Sequence, residues 1–201
     1  MINRVVKNIL LICIMFVFTQ NLQANNHIEL KNHFLNKIDD VIVIVKNKKL
    51  SVDERNSHII DIVTPMFDFE LMAKLSLGKQ WKKLSKEDKK KFVELYVERM
   101  KKSYSSKIDS YSDEKIEVKK VKQVKKNRIV LTTDFVNEKE SLEIVYKYYK
   151  PKKPKNQKDT WLIYDVEIVG VSILKTDKAQ FKEFLQTKTI TDLMEALSKK
   201  S

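Results

Sequence analysis

The feature that most constrains the fold is an apolar run near the C-terminal end, TWLIYDVEIVGVSIL at residues 160–174. β-Branched residues dominate it after Tyr164, and these fit a pleated strand better than a helix. Gly170 inside the run indicates a bulge or bend rather than an end. With a period of two, the face predicted to be buried carries Leu162, Tyr164, Val166 and Ile168. The opposite face then carries Trp161, Ile163, Asp165 and Glu167. We therefore predict one long strand that supplies the core of a sheet.

Three segments upstream of this run also show a period of two. They cover residues 115–124, 128–136 and 140–150, and short polar turns join them. In the second segment Leu131, Thr133 and Phe135 alternate with polar residues, and in the third the apolar face carries Leu142, Ile144, Tyr146 and Tyr148. One apolar and one polar face indicate an antiparallel sheet that is covered on one side. A hairpin loop at residues 151–158 connects to the final strand.

Helical patterns precede and follow these four strands. Residues 25–47 repeat apolar side chains at steps of three and four, although residues 41–45 (VIVIV) are also compatible with a strand. Ser51 and Glu54 have the spacing of a capping box that opens a second helix, and Asp68 can cap a third. A long amphipathic helix starts near residue 85, and two more follow near residues 177–186 and 191–199. Helices, then strands, then helices predict an α+β fold.

The N-terminal 24 residues have the pattern of a secretory signal peptide. Arg4 and Lys7 precede an apolar stretch at residues 9–18, and Ala24 offers a small residue at the cleavage site. The stretch is shorter than the roughly 20 residues of a membrane span, but an uncleaved anchor stays open because Leu22 is larger than the usual cleavage pattern prefers. The single cysteine, Cys13, lies within this segment. We expect an exported, soluble domain over residues 25–201 without disulfide or thiol chemistry.

The charge balance is strongly basic, with 40 Lys and Arg against 27 Asp and Glu and a formal net charge of +13. Lysines are spread over every segment and arginines are few, which favours a solvated surface over a nucleic-acid footprint. Such a surface still favours a weak, salt-screened attraction to anionic lipid headgroups. We expect no nucleic-acid partner.

Motifs for catalysis or cofactor binding are missing from the sequence. Two glycines cannot build a glycine-rich phosphate loop, and there is no G-x-S-x-G element. His27 and His33 have no third ligand at metal-binding spacing. Asp165 and Glu167 could form a catalytic pair, but carboxylates on an exposed strand face are ordinary. We predict a protein that is not an enzyme and that uses no cofactor or metal.

Two blocks of sequence resemble the MlaC family. The first runs from FDFELMA at residues 67–73 through Gly78 and Trp81 to residues 92–96, and the second from WLIYDV at residues 161–166 through Gly170 to Phe181. The similarity spans about residues 50–185. Family members usually have Asn-Tyr-Arg ahead of the Gln-Phe pair, whereas this chain has KTDK at residues 175–178. The Tyr-Arg pair is therefore not carried over.

The resemblance implies a periplasmic phospholipid carrier, the toluene-tolerance auxiliary component of an ABC transport system. It implies a four-stranded curved antiparallel sheet, wrapped by N-terminal and C-terminal helices around a hydrophobic cavity for lipid tails. The family shuttles phospholipid between an outer-membrane lipoprotein–porin complex and an inner-membrane ABC transporter, and so maintains outer-membrane lipid asymmetry. We expect a monomer. The alternatives are an exported binding module for another apolar ligand, and an adaptor without a ligand.

A lipid cavity needs apolar walls with few polar groups, and the predicted sheet face and helix stripe can supply them. We therefore expect the cavity to be lined by Phe92, Tyr96, Met100, Leu131, Phe135, Ile144, Tyr146, Tyr148, Leu162, Tyr164, Val166 and Ile168. Any one of these residues could instead be ordinary packed core. Tyr146, Tyr148 and Tyr164 are the best individual candidates, because tyrosine combines an apolar ring with a polar tip near a headgroup.

Overall fold

The computed structural model describes residues 27–108, 115–136, 141–152 and 161–200. The predicted signal peptide with its cleavage site and Cys13, and most of the predicted loop at residues 151–158, lie outside these ranges. Within the described ranges, no helix combines the length and the apolar character needed to cross a membrane.

The first half of the chain is helical. Helix α1 spans residues 27–46, so the strand alternative at residues 41–45 is wrong. Helix α2 (Val52–Val63), α3 (Phe69–Leu77) and α4 (Lys86–Ile108) follow, with short 3-10 turns at Thr64–Met66 and Gly78–Lys83. The predicted caps are confirmed, since Ser51 and Glu54 form a reciprocal capping box and the Asp68 carboxylate accepts from the Leu71 N–H. Local sequence therefore fixes where α2 and α3 begin.

The second half forms an open antiparallel sheet, followed by two helices, and this confirms the α+β fold. The strands are β1 (Lys115–Lys125), β2 (Arg128–Val136), β3 (Ser141–Tyr149), β4 (Leu162–Ile168) and β5 (Val171–Ser172), in that spatial order. The sheet has five strands in the described residues rather than four, because the last predicted strand is split in two. Helices α5 (Ile173–Phe184) and α6 (Ile190–Lys200) complete the chain.

Gly170 ends the predicted long strand instead of bending it. β4 stops at Ile168, and Val169 and Gly170 then adopt positive φ angles of 47° and 77° in a tight turn. Glycine reaches such angles without steric cost, so it permits the chain to reverse direction. The Ser172 side chain accepts from the Lys175 N–H and caps α5, so the following residues enter a helix despite their β propensity. The prediction of strand through residue 174 is therefore wrong.

A bulge in β4 shifts the alternation of its side chains. Lys147 pairs with Asp165, whereas Tyr148 pairs with Ile163, so Tyr164 is an extra residue on one side of the ladder. Ile163 consequently shares a face with Val166. The prediction placed Leu162 and Tyr164 on that face and Ile163 on the other, and it is wrong at these three positions. A period of two cannot anticipate a single inserted residue.

Two apolar clusters form the interior. The first, here the helical cluster, lies among α3, α4, α5 and α6, and its buried residues are Met72, Ala73, Leu77, Leu84, Phe92, Tyr96, Met100, Phe181, Leu193, Met194 and Leu197. The second, here the sheet cluster, lies between α1 and one face of the sheet, and its buried residues are Leu30, Phe34, Met66, Ile129, Leu131, Tyr148, Trp161, Ile163 and Val166. Phe67 and Ile173 pack against both, so the clusters adjoin.

Candidate functional site

Three of the twelve predicted lining residues lie in the helical cluster. Phe92, Tyr96 and Met100 are at most 3% exposed on α4 and pack with Phe181, whose ring lies 5.9 Å from that of Phe92. The Tyr96 hydroxyl donates to the Asp177 carboxylate at 2.7 Å. These residues are close-packed interior of a helical layer, and the structure does not bring them to the sheet face.

A salt bridge ties this helical layer together. The Arg99 guanidinium donates to Asp177 at 2.7 Å, so the buried carboxylate of α5 accepts from two residues of α4. Burial alone would lower the pKa of Arg99, but the hydrogen bond and charge of Asp177 outweigh it and raise that pKa. Asp177 lies in the segment that departs from the family pattern, and sequence reasoning gave it no role.

Seven predicted residues are brought together on the sheet face that α1 covers. Leu131, Tyr148 and Val166 are buried within the sheet cluster, and Ile144, Tyr146 and Ile168 pack against it while partly buried. Phe135 follows Leu131 and Thr133 on the same face of β2 and is half-buried. The chain thus gathers a continuous apolar surface on three neighbouring strands.

Leu162 and Tyr164 lie on the opposite face because of the β4 bulge. Leu162 pairs with Tyr149, and the Tyr164 ring lies 6.0 Å from the Tyr149 ring. The Arg128 guanidinium stacks on Tyr164 at 4.2 Å. Tyr149 in turn donates a hydrogen bond to Asp68, which joins this face to the start of α3. These contacts place both residues among scaffold interactions.

One helix covers the apolar sheet face, and it covers it incompletely. Leu30 and Phe34 of α1 are buried on the sheet, and the Phe34 ring lies 4.9 Å from that of Tyr146. Around this contact, six apolar side chains of the sheet are only partly buried: Ile116, Val118, Val121, Ile144, Tyr146 and Ile168. Displacing one helix would therefore uncover a large apolar surface.

A cleft of about 310 Å³ opens between α1, α2 and one end of the sheet. Its walls are His33, Lys37, Asp61, Ile62, Pro65, Met66, Tyr148 and Trp161. Met66, Tyr148 and Trp161 also belong to the sheet cluster, so the cleft leads directly into it. The volume lies at the lower end of the roughly 300–1,000 Å³ range of small-molecule pockets.

Two polar atoms on residues that line this cleft have no hydrogen-bond partner among the described residues. They are the hydroxyl of Tyr148 and the indole N–H of Trp161, on side chains that are 2% and 8% exposed. Burial raises the pKa of the Tyr148 hydroxyl, and the neighbouring Tyr146 adds to the effect, so Tyr148 keeps its proton at neutral pH. Both groups are therefore buried neutral donors without an acceptor among the described residues.

Sequence reasoning identified Tyr148 but missed Trp161 and the helical wall of the cleft. Strict alternation placed Trp161 on the wrong face, because the bulge lies between it and Val166. No local signal indicates that α1 crosses this end of the sheet, since the crossing depends on contacts between residues distant in sequence. An unpaired polar group can be recognised only once the tertiary contacts are known.

The carboxylate pair considered for catalysis is held in a structural network. Asp165 is 3% exposed rather than on an exposed face, and it accepts from Lys147 at 3.0 Å and from the Ser172 hydroxyl. Lys147 also pairs with Glu167 at 2.6 Å. Burial alone would lower the pKa of Lys147, but hydrogen bonds to Glu167 and Asp165 raise it. This network fixes the turn between β4 and α5.

Across the described ranges, no group of three or more His, Cys, Asp or Glu side chains is placed to hold a metal ion. The candidate site is the apolar sheet face with its cleft, because a partly covered apolar surface beside two unpaired donors can bind an apolar molecule that carries a few hydrogen-bond acceptors.

Known proteins resemble this chain in sequence and in fold. A curated protein of Haemophilus influenzae, the intermembrane phospholipid transport system binding protein MlaC, is 25% identical over 111 residues. The match covers 55% of this chain and 51% of that protein, so the chain spans about half the length of the curated relative it matches. A phospholipid-binding protein of Ralstonia solanacearum, solved in complex with a phospholipid, has the same fold with a TM-score of 0.72. Its sequence is 16% identical, and the match covers 84% of this chain and 94% of that one.

The family model described as MlaC protein matches residues 36–199 of this sequence. That range includes the second half of α1, the helical cluster and the whole described sheet, while His33 of the cleft and Leu30 and Phe34 of the sheet cluster precede it. It also includes both blocks of sequence on which the resemblance was recognised. The chain belongs to the MlaC family.

Proposed function

We propose that this protein binds a phospholipid and carries it between membranes. The observation that carries the proposal is the incompletely covered apolar face of the sheet, which a cleft connects to the surface. Membership of the MlaC family supports it, as does a fold shared with a protein that was solved with phospholipid bound. No part of this function requires catalysis.

The acyl tails lie against the sheet face in this proposal. Each buried methylene contributes about 0.8 kcal/mol, so one tail is bound through many small contributions without a dominant contact. The lining comprises Leu131, Phe135, Ile144, Tyr146, Tyr148, Val166 and Ile168. The other five predicted residues belong to the scaffold, because they already pack against other parts of the protein. They are Phe92, Tyr96, Met100, Leu162 and Tyr164.

Loading requires α1 to move relative to the sheet. A cleft of about 310 Å³ does not hold both tails and the glycerol backbone of a phospholipid, and Leu30 and Phe34 occupy the adjoining sheet surface. Tails that replace these two side chains exchange one apolar contact for another, so the free-energy difference between empty and loaded states stays small. A small difference suits a carrier that must both load and release.

Direction of transport comes from the partners in this scheme. The carrier acts in the periplasm, to which the predicted signal peptide directs it. It receives and delivers lipid at an outer-membrane lipoprotein–porin complex and an inner-membrane ABC transporter. The sequence has no glycine-rich nucleotide loop, so the carrier depends on the transporter for energy.

Native mass spectrometry with lipid extraction tests the proposal on protein purified without detergent. We expect a stoichiometric adduct whose extracted mass is that of a phospholipid. A different apolar molecule in the adduct would replace phospholipid as the ligand. An apo mass, together with no uptake from phospholipid vesicles, would contradict binding and favour an adaptor without a ligand.

A further inference from the structure

Two residues that line the cleft carry hydrogen-bond donors whose acceptors the described residues do not supply. Tyr148 and Trp161 are almost completely buried, yet neither the Tyr148 hydroxyl nor the Trp161 N–H is paired within the described chain. A buried polar group without a partner is costly, and native proteins keep few of them. Two such groups in the walls of one cleft indicate that a ligand supplies the acceptors.

The surroundings of these donors indicate the chemistry of the acceptor. Met66 and Ile62 stand beside them, and neither donor carries a charge. An anion is poorly stabilised by two neutral donors in an apolar setting, because its desolvation is not compensated. A neutral carbonyl oxygen loses far less on transfer and accepts one such hydrogen bond readily.

Polar and charged residues lie at the mouth of the cleft instead. His33 and Asp61 are exposed, and Lys37 is already paired with Asp40 at 3.2 Å. The cleft therefore passes from a polar and charged mouth to buried neutral donors and then to the apolar sheet cluster. A diacyl phospholipid has the same order along its length, with a charged head, two ester carbonyls and then the tails.

We propose that the cleft recognises the ester region of the phospholipid, an inference that rests on the proposed function. The Tyr148 hydroxyl and the Trp161 indole N–H donate to the two acyl ester carbonyl oxygens. The tails continue from there onto the sheet face, and the phosphate remains at the mouth. The protein thereby distinguishes ester-linked from ether-linked lipids of the same head and chain length.

Matched ester and ether phospholipids test this directly. The full chain, stripped of lipid, is titrated with vesicles of a diacyl phosphatidylethanolamine or of its dialkyl ether analogue, and bound lipid is counted by native mass spectrometry. We expect the ester lipid to bind about 2- to 10-fold more tightly per hydrogen bond made. Inorganic phosphate, added as a competitor, is expected to displace neither lipid, because the phosphate group is not what the donors bind.

Two substitutions test which groups produce the preference for the ester lipid over the ether lipid. Tyr148→Phe and Trp161→Phe each remove one donor, and each should reduce the ratio of ester to ether binding. Tyr148→Phe should also raise the melting temperature of the lipid-free protein, since it deletes an unpaired buried hydroxyl. Tyr149→Phe and Trp81→Phe are matched controls, because Tyr149 faces the other side of the sheet and Trp81 packs against the helical cluster. Both controls should keep the wild-type ratio.

Equal binding of the ester and ether lipids by the wild-type protein would overturn the ester site while leaving the carrier function intact. Displacement of lipid by inorganic phosphate would also overturn it, in favour of an anion site. An unchanged ester-to-ether ratio in both donor variants would show that other groups recognise the ester. Binding of neither lipid would reject the proposed function and the ester site together.

Discussion

The two apolar clusters of this protein contain similar residues, but they differ in the helices that cover them and in the pairing of a buried tyrosine hydroxyl. In the helical cluster the buried Tyr96 hydroxyl is hydrogen-bonded to Asp177, and four helices close around the side chains. In the sheet cluster the buried Tyr148 hydroxyl has no partner in the described chain, and one helix covers the apolar face. A paired hydroxyl among four helices suits a structural core, whereas an unpaired hydroxyl on a sheet face under one helix suits a surface that exchanges its cover for a ligand.

This difference explains why a list of apolar residues does not identify a ligand site. Phe92 and Leu131 are both completely buried, and their apolar character alone does not show which of them lies beside a ligand. What separates them is the closure of the layer around them and the pairing of nearby polar groups. Both properties arise from contacts between distant parts of the chain.

Phe92→Ala should give the largest loss of stability. Removal of a fully buried phenyl ring leaves a cavity, and such substitutions cost about 3–5 kcal/mol in the free energy of unfolding. We expect the lipid content per folded molecule to remain that of the wild type. Leu131→Ala, its counterpart in the sheet cluster, should destabilise the fold and also reduce lipid content. Urea unfolding and lipid extraction measure the two effects, and equal lipid loss in both variants would remove the distinction between the clusters.

Asp177→Asn should weaken the helical cluster by about 2 kcal/mol, because two charge-assisted hydrogen bonds from α4 lose their anionic acceptor. Arg99 is partly exposed, so water limits the loss. Glu94→Gln is the matched control on the same helix, since its pair with Lys90 is 4.0 Å long and exposed, and it should change stability by less than about 0.5 kcal/mol. A large effect of the control, or none of Asp177→Asn, would contradict this role of the buried pair.

Two neighbouring residues of β3 test which face of the sheet holds the acyl tails. Ile144 lies on the face that α1 covers, and Val145 lies on the other, opposite Glu167. Ile144→Gln should lower phospholipid content several-fold, because an amide in the path of the tails loses its hydrogen bonds to water. Val145→Gln should leave the content unchanged. Lipid extraction from the two purified variants measures this. A greater loss of lipid in Val145→Gln would place the tails on the face opposite α1 and contradict the proposal.

The smallest expected effect is on the free energy of unfolding at alkaline pH, through Tyr146 of the sheet cluster. Burial raises the pKa of Tyr146 to about 12, although its hydrogen bond with Thr133 partly offsets this. In the unfolded chain tyrosine titrates near pH 10, so the stability that the raised pKa contributes is fully present below about pH 10. It is lost as the pH rises from there through the folded pKa. Tyr146→Phe should therefore show a shallower fall in unfolding free energy above pH 10 than the wild type, and identical slopes would contradict the shift.

Local sequence patterns predicted the elements well. The capping box at Ser51, the cap at Asp68 and the alternation in β2 and β3 all follow from nearest neighbours, and the structure confirms them. The errors occur where one residue changes the outcome. Tyr164 inserts a bulge that exchanges the two faces of β4 on one side of it relative to the other, and Gly170 lies in the turn that ends the strand.

The candidate site was less predictable than the fold. The sequence identified the apolar sheet face correctly on β2 and β3, where alternation is regular. It could not separate Phe92 from Leu131, it placed Trp161 on the wrong face, and it gave no sign that α1 and α2 form a cleft. Each of these features depends on how distant elements pack, which periodicity does not encode.

Phospholipid is proposed to lie on the sheet cluster and not within the helical cluster, and the two tryptophans can test this placement. Trp161 lies in the sheet cluster and Trp81 packs against the helical cluster. Trp81→Phe and Trp161→Phe each leave one tryptophan, and both are loaded with a phospholipid brominated along its acyl chains, with loading verified by mass spectrometry. We predict strong quenching of Trp161 fluorescence and little quenching of Trp81. Strong quenching of Trp81 with Trp161 unaffected would place the tails among the helices and contradict the account.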